Sequence, residues 1–478
     1  MNFIKKLGIN KLIGYILLVL YLIAAVVFIG FCTTLNMLPV LYLVIIGITL
    51  AIFGVIFAIM HEKLIPSIIS SVLTILFIAG MIMGMTMIYK TNHTIQKVST
   101  ADTATDIIGV YVMDEDAAQS VEEAKDYTFG IISGMDRENT DKTIQNLNET
   151  LGTTLKTKEY EDMFVMADDL KAQKVQAIIL NSAYLGIIGD EEGYNWVLTD
   201  TRQLTTVEHH AAVEQTMAIP EDIPETFIMY LSGIDTYGGV SARSRSDVNI
   251  LAVVNIKTKD ILLLSTPRDY YVEYYATNGA KDKLTHAGIY GVEASIDALE
   301  TLYGIDVNYY LRVNFSGFID IIDALGGIDV YSDYEFTVDP IKTYYVGTNH
   351  LTGLEALAFA RERYSFPDGD YQRAKNQMEV IRAAVSKCAS SSMLMNYGSV
   401  MDAVAGSIDT NMPEDQIASL VKMQLSDMAQ WNISSYTATG TGTSAETFSM
   451  PGRQLSVIIP DEASIIEARQ LINGIYGE

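Results

Sequence analysis

Two cysteines in 478 residues, Cys32 and Cys388, are too few and too far apart for a disulfide framework. Cys32 falls inside an apolar run, so a bridge to Cys388 is not expected. Basic side chains are also scarce: 32 Lys and Arg stand against 58 Asp and Glu, a formal net charge of −26. A surface that acidic repels phosphate, and nucleic-acid binders ordinarily present a basic face, so no nucleic-acid partner is expected. Between residues 106 and 219 no nucleophile is patterned with a base, and no ligand-type side chains cluster. That stretch reads as a structural spacer or binding module. Its acidic runs, 159–162, 168–169 and 190–192, read as solvated faces.

What the chain has in excess is apolar length near its start. Mean hydropathy is +0.21 despite the acid. Three uncharged apolar runs, 12–32, 37–60 and 66–89, explain it. Each approaches the roughly 20 residues a helix needs to cross the hydrocarbon core of a bilayer. Lys5, Lys6 and Lys11 precede the first run, and His61 and Lys63 lie between the second and third, whereas 33–36 carries no base. Positive charge is retained on the cytoplasmic side, so the expected topology is a multi-pass membrane protein with a cytoplasmic N-terminus. Residues after about 90 then lie outside the cell. The expected organisation is a three-span anchor (1–90), a juxtamembrane linker (91–105), a small α/β unit (106–219) and a larger α/β domain (220–478). Pro220 and Pro224 mark the last boundary.

The α/β class follows from the alternation of short apolar runs with helical spacing. In the small unit, strands are expected at 107–112, 129–132 and 175–180, with helices at 117–125 and 139–151. In the large one, strands at 227–234, 248–255 and 261–266 are followed by helices at 292–303 and 315–325, with strands at 306–313 and 328–331 interleaved. Thr352 and Glu355 form a capping-box pattern that opens a helix, and helix 413–427, strand 454–459 and helix 462–475 complete the chain.

Charge gathers where these strands end. Asp235 follows the first, Asp247 opens the second and Arg268 follows the third, and a chain that folds back brings all three to one sheet edge. The capping-box helix delivers Arg361 and Arg363 at its end. A second helix begins near Asp370, itself an N-cap candidate, with Arg373 in its first turn. Arginine there opposes the helix dipole and calls for an anionic partner. Guanidinium forks match phosphate oxygens, and two aspartates without His or Cys nearby are hard ligands that suit magnesium. Phosphoryl transfer uses that equipment. The same residues would also serve as structural ion pairs at a sheet edge.

Three stretches carry a specific resemblance: GIDTYGGVSARSRSDVNILAVVNIKTKDILLLSTPRDYYV, KLTHAGIYGVEASIDALETLYGIDVNYYLRVNFSGFIDIIDALGGIDVY and LTGLEALAFARERYSFPDGDYQRAKNQMEVI. In their order and spacing the chain resembles the LytR-CpsA-Psr family, and its capsule-associated CpsA-type members in overall layout. The resemblance implies a mixed central sheet flanked by helices, with an apolar slot for a polyprenyl chain. It implies a cell-wall ligase of Gram-positive bacteria. Such an enzyme moves a capsular or other anionic glycopolymer from an undecaprenyl-pyrophosphate carrier to peptidoglycan as a phosphodiester. It further implies Mg2+ on Asp235 and Asp247, and a pyrophosphate clamp of Arg268, Arg361, Arg363 and Arg373, with Arg245 and Gln377 near the head group. Asp370 is the candidate for orienting or deprotonating the acceptor hydroxyl, so Asp370 and Arg268 are the expected catalytic pair. Arg243 and Arg245 alternate with serines, which leaves open which of them reaches phosphate. Lys283 and His286 fall in a matched stretch but read equally as turn and surface. Partners implied are the lipid-linked polymer, peptidoglycan, the bilayer and capsule-synthesis membrane proteins. Two alternatives remain: a polyprenyl-pyrophosphate hydrolase, with water as acceptor, and a non-catalytic membrane regulator of capsule synthesis.

Overall fold

The computed structural model describes residues 2–34, 36–61, 64–99, 103–212, 217–234, 241–390 and 392–477. Three helices, Asn2–Thr34, Val40–Met60 and Leu64–Ser99, are long and apolar enough to cross a membrane. Their outward positions are large apolar side chains such as Leu22, Ile52 and Leu76, as a lipid-facing surface requires. Among themselves they pack through aromatic edges: Tyr21 meets Phe57 at 5.5 Å, and Phe53 meets Phe77 at 4.6 Å. Buried inside this bundle, the Tyr21 hydroxyl donates to the Leu50 carbonyl at 2.7 Å.

The expected linker at 91–105 is instead helix through Ser99, followed by a strand from Thr103. No Pro or Gly interrupts the sequence after Tyr89 to stop the helix. Ile95 on its last turns is buried with Met37 and Ala418. The third helix therefore docks onto the distal domain. Lys90 pairs with Asp402, and Tyr42 of the second helix donates to the Leu425 carbonyl at 2.9 Å.

Strands Thr103–Met113, Thr128–Ile132, Lys156–Tyr160, Ala177–Asn181 and Thr201–Ala212 build a five-stranded sheet. Thr103–Met113 lies between Ala177–Asn181 and Thr201–Ala212, antiparallel to both. The expected helix at 117–125 is a series of turns. Arg202 is the reason, because its guanidinium takes the Asp116 and Ala118 carbonyls that helical amides would otherwise use.

The larger sheet has six strands, in the order Ile408–Thr410, Tyr309–Asn314, Thr226–Ile234, Ser246–Asn255, Asp260–Ser265 and Asn432–Thr437. It is mixed: Thr226–Ile234 runs parallel to Tyr309–Asn314 and antiparallel to Ser246–Asn255. Period-two alternation sends side chains to two cores. Tyr230, Leu251, Val253 and Leu264 pack with helix Val292–Tyr303 and helix Glu462–Tyr476. Phe227, Ile250, Val254 and Leu263 pack with Met378 and Met412 on the other face. Burying each such side chain contributes about 1.5–3 kcal/mol. Both faces are covered, which is why these strands read as nearly unbroken apolar runs.

Helix Phe315–Ala324 packs Ile322, with Phe359 and Val400 of neighbouring helices, in a further apolar core.

Candidate functional site

Register fixes the site's edge. Ile234 lies opposite Ser246, and Ile250 lies opposite Ser265. The end of the first strand, the start of the second and the end of the third therefore share one end of the sheet. Asp247 is the second residue of its strand, and Arg268 follows the third by a short turn closed by Tyr270 N–H on the Pro267 carbonyl at 3.1 Å. Asp235 directly follows Ile234 and lies outside the described residues.

Arg268 is the centre of the cluster. Its Nη1 donates to Asp247 Oδ1 at 2.8 Å, and its Nη2 lies 3.3 Å from Asp190 Oδ2. The nearest carboxylate oxygen to Nε, on Asp269, is 3.8 Å away. That Nε is buried and has no hydrogen-bond partner among the described residues, an arrangement proteins seldom leave unexplained. Burial alone would push the Asp247 carboxyl up, but the Arg268, Arg245 and Arg373 guanidiniums overcome it and hold the group well below the usual range. Burial likewise opposes the Arg268 charge, and Asp247, Asp269 and Asp190 outweigh it.

Helix Gly353–Arg361 opens with the expected capping box. Arg361, its last residue, lays its guanidinium over the Phe315 ring at 4.3 Å. Arg363 donates through Nη2 to the Tyr364 hydroxyl at 2.6 Å. The next helix, Gly369–Cys388, has Asp368 at its N-cap, so Asp370 is a first-turn residue and not the cap. Asp370 Oδ1 pairs with Arg373 Nη2 at 3.0 Å and lies 3.8 Å from Arg363 Nη1. An acid there suits the helix dipole and screens the arginine that opposes it. Burial and then the neighbouring Arg268 guanidinium pull the Arg373 pKa down, against Asp370 and Asp247. Burial and Arg268 thus outweigh the pull of Asp370 and Asp247 on the Arg373 charge.

Asp247, Arg268, Asp370, Tyr371, Arg373 and Gln377 line one narrow cleft. Gln377 is buried at its wall and donates to the Ala360 carbonyl at 3.3 Å. Arg245 is joined to the cluster through Asp190, which it contacts directly; Arg361 is held away on its aromatic platform. A broader hollow lined by Asp320, Asp323 and Asp402 contains no cation among its lining residues, so it does not suit phosphate.

One addition and two corrections to the sequence reading fall here. Asp190 is exposed, as expected of a solvated face, but it also faces Arg245 and Arg268. Asp169, expected on another such face, is buried and accepts from Lys158, Lys174 and Tyr160, each at 2.8 Å. Lys283 and His286 are buried, not surface. Lys283 Nζ lies 3.5 Å from Asp269 and 3.8 Å from Glu191. Thr285, between them in sequence, donates to Asp247 Oδ1 at 3.2 Å, and no charge pattern could have singled it out.

His286 belongs to a buried network. Its Nδ1 pairs with Asp282 Oδ1 at 2.8 Å and lies 2.7 Å from Ser449 Oγ. Tyr274 donates to Asp282 Oδ2 at 3.1 Å, and the Ser449 amide donates to the same oxygen at 3.0 Å. Burial would raise Asp282, but His286, the Lys283 amide and Ser449 hold its pKa below the ordinary value. A depressed folded-state pKa gives stability that is present above the unfolded carboxylate value, about 3.9, and is lost as pH falls through the folded value. Asp282→Asn is expected to cost about 1–3 kcal/mol near neutral pH, with the gap from wild type closing in acid. Thermal unfolding across pH 2–7 checks it (the range is chosen to cross about 3.9); a gap constant with pH would refute the assignment.

A magnesium ion was expected on Asp235 and Asp247. The described hydrogen bonds to Asp247 both fall on Oδ1, and its half-buried carboxylate is held ionised. A hard, ionised oxygen donor fits that ion's preferences.

A family model described as the LytR_cpsA_psr family matches residues 196–459. A Bacillus cereus protein named polyisoprenyl-teichoic acid–peptidoglycan teichoic acid transferase TagU is 40% identical over 200 residues, covering 41% of this chain and 64% of that relative. The chain thus spans somewhat less than two thirds of that relative's length. An Enterococcus faecalis protein of the same name is 32% identical over 254 residues, covering 52% of this chain and 82% of the relative. Among solved structures, B. subtilis TagU has 27% identity and a TM-score of 0.42, covering 53% of this chain and 97% of that one. A structure titled TagT bound to LI-WTA has 26% identity and a TM-score of 0.42, covering 53% and 92%.

Proposed function

The chain belongs to the LytR_cpsA_psr family, and on that premise we propose that it is a membrane-bound phosphotransferase of the outer cell surface. Its substrate is an anionic glycopolymer on a polyprenyl-pyrophosphate carrier, and its acceptor is a hydroxyl of peptidoglycan. The observation that carries this reading is the Arg268 cluster: a buried Nε without an acceptor among the described residues, on a cleft that Arg373 also lines. A pyrophosphate supplies the missing oxygens. The TagU relatives, whose printed name assigns them a polyisoprenyl-linked polymer and peptidoglycan, support the same substrate class.

In the reaction the acceptor oxygen attacks the phosphorus that bears the polymer. The bond from that phosphorus to the bridging oxygen breaks, and polyprenyl phosphate leaves with the electron pair. Arg268 and Arg373 bind the two phosphates and stabilise the charge that moves onto the leaving group. Asp370, at the mouth, accepts a hydrogen bond from the acceptor hydroxyl and orients it, and the hydroxyl proton passes to that carboxylate or to water. Asp247, with Asp235, would hold magnesium, which neutralises pyrophosphate charge when bound. The three apolar helices keep the cleft beside the bilayer that carries the lipid-linked donor. The basic residues before the first helix and between the second and third favour a cytoplasmic N-terminus and an external cleft.

The test is turnover of lipid-linked polymer by the full chain, with and without peptidoglycan. Transfer predicts polymer bound covalently through phosphate to peptidoglycan, with polyprenyl phosphate released in equal amount. Carrier cleavage at the same rate without acceptor, yielding free polymer phosphate, would make water the acceptor and overturn the reading.

A further inference from the structure

The unit at 103–212 reaches the site. Its helix Ser182–Asp190 is N-capped by Asn181, whose Oδ1 accepts from the Ala183 amide at 3.0 Å. The helix ends on Asp190, an acid at the negative end of the dipole, which is unfavourable unless cations face it. Two do: Asp190 Oδ2 meets both Arg245 Nη1 and Arg268 Nη2. One turn earlier, Gly186 lets the Arg245 guanidinium lie across the helix. A Cβ there would stand 2.8 Å from Arg245 Nη2, closer than atoms can pack.

A second contact is made by backbone. Strand Thr103–Met113 pairs with Ala177–Asn181 only from Ile108 onward, which leaves the edge at Thr105 open. The segment before Asp247 fills it: the Thr105 amide donates to the Ser241 carbonyl at 2.9 Å, and the Arg243 amide donates to the Thr105 carbonyl at 2.8 Å. Ion pairs follow one polarity. Asp106 holds Arg243 at 3.1 Å, Glu191 faces Lys283 at 3.8 Å and Asp162 holds Arg453 at 3.0 Å. In each the small unit supplies the acid.

We propose that the 103–212 unit organises the catalytic site, with Asp190 as a positioning residue that fixes the Arg245 and Arg268 forks for pyrophosphate. The role rests on the reading of the cleft as a polyprenyl-pyrophosphate site. Arg268 donates through Nη1 to Asp247 and has Asp190 ion-paired 3.3 Å from Nη2, so its Nε, unsatisfied among the described residues, keeps one direction. Such preorganisation removes the ordering cost that a long side chain otherwise meets on binding.

The experiment uses the full chain in detergent with magnesium and geranyl pyrophosphate as probe. Asp190→Ala is expected to weaken probe binding about tenfold or more, with thermal unfolding close to wild type. Asp190→Asn, which keeps an acceptor oxygen, recovers part of the loss, a rescue that a merely structural role would not give. Gly186→Leu, which displaces Arg245 and leaves Asp190 in place, reproduces the loss. Hydrogen exchange supplies a readout without ligand: amides at 241–249 exchange faster in Asp190→Ala, and those of strand Thr226–Ile234 do not. Unchanged or tighter probe binding in Asp190→Ala, or unchanged exchange at 241–249, overturns the proposal. If wild type binds no probe while exchange at 241–249 responds to Asp190→Ala, the pyrophosphate reading falls and the organising of Arg245 and Arg268 stands.

Discussion

Replacing Arg268 by Lys is expected to lower polymer transfer by about 10²–10³-fold while the protein stays folded. Lysine keeps the charge, so Asp247 retains a cation, but a point ammonium cannot grip Asp247, Asp190 and a phosphate at once. The three directions matter because two are already taken: Nη1 by Asp247 at 2.8 Å and Nη2 by Asp190 at 3.3 Å. Of its remaining N–H groups, Nε is buried and has no partner among the described residues. Arg268→Ala is a harsher change, since it takes from the half-buried Asp247 carboxylate its hydrogen-bonded cation and adds a stability loss of about 1–3 kcal/mol. The rate of phosphodiester formation in the Lys variant, with its melting temperature, separates the two effects. A Lys variant that transfers within a few-fold of wild type would show that Arg268 is an ion-pair partner and nothing more.

The residues that were legible beforehand are those whose signal is local. The three central strands announced themselves because both sheet faces are covered, which makes Leu251, Val253 and Leu264 part of continuous apolar runs. The capping box at Thr352 is a four-residue pattern and formed as expected. The convergence of Asp247 and Arg268 followed from counting strands. Partners set by tertiary packing were hidden. Nothing near Asp190 in sequence announces Arg245 and Arg268, which lie more than fifty residues on. Strand Thr201–Ala212 escaped notice because it is a polar edge strand, paired on one side only with Thr103–Met113. Asp370 looked like an N-cap because capping favours Asp in general, and Asp368 two residues earlier meets the same preference. Asp235 is adjacent to Ile234 in sequence and falls outside the described residues.

The scaffold also holds a buried ion pair whose loss should be a large stability effect. Arg312, on strand Tyr309–Asn314, and Asp409 are 6% and 9% exposed and lie 3.3 Å apart. Arg312 also donates through Nη2 to the Ala242 carbonyl at 3.0 Å, so it supports the segment leading to Asp247. Burial dominates at Asp409 and keeps its pKa raised, despite the opposing pull of Arg312 and hydrogen bonds from Tyr310 and Arg312. Arg312→Leu leaves that carboxylate buried without its cation, an expected cost of about 3–5 kcal/mol against a typical domain stability of about 5–15 kcal/mol. The sign with pH follows from linkage. Asp409 binds its proton more tightly folded than unfolded, so its contribution falls as pH rises from the unfolded value to the raised folded one. Removing Arg312 raises the folded value further, so the deficit of Arg312→Leu should be greatest near neutral pH and shrink in acid, where Asp409 is neutral. Adding Asp409→Asn should restore most of the loss, because the uncompensated charge is gone. Thermal unfolding of the single and double variants at acid and neutral pH is the measurement. A deficit independent of pH and untouched by Asp409→Asn would mean that Arg312 acts through its bond to Ala242, and that the loop before Asp247, rather than the ion pair, is what it stabilises.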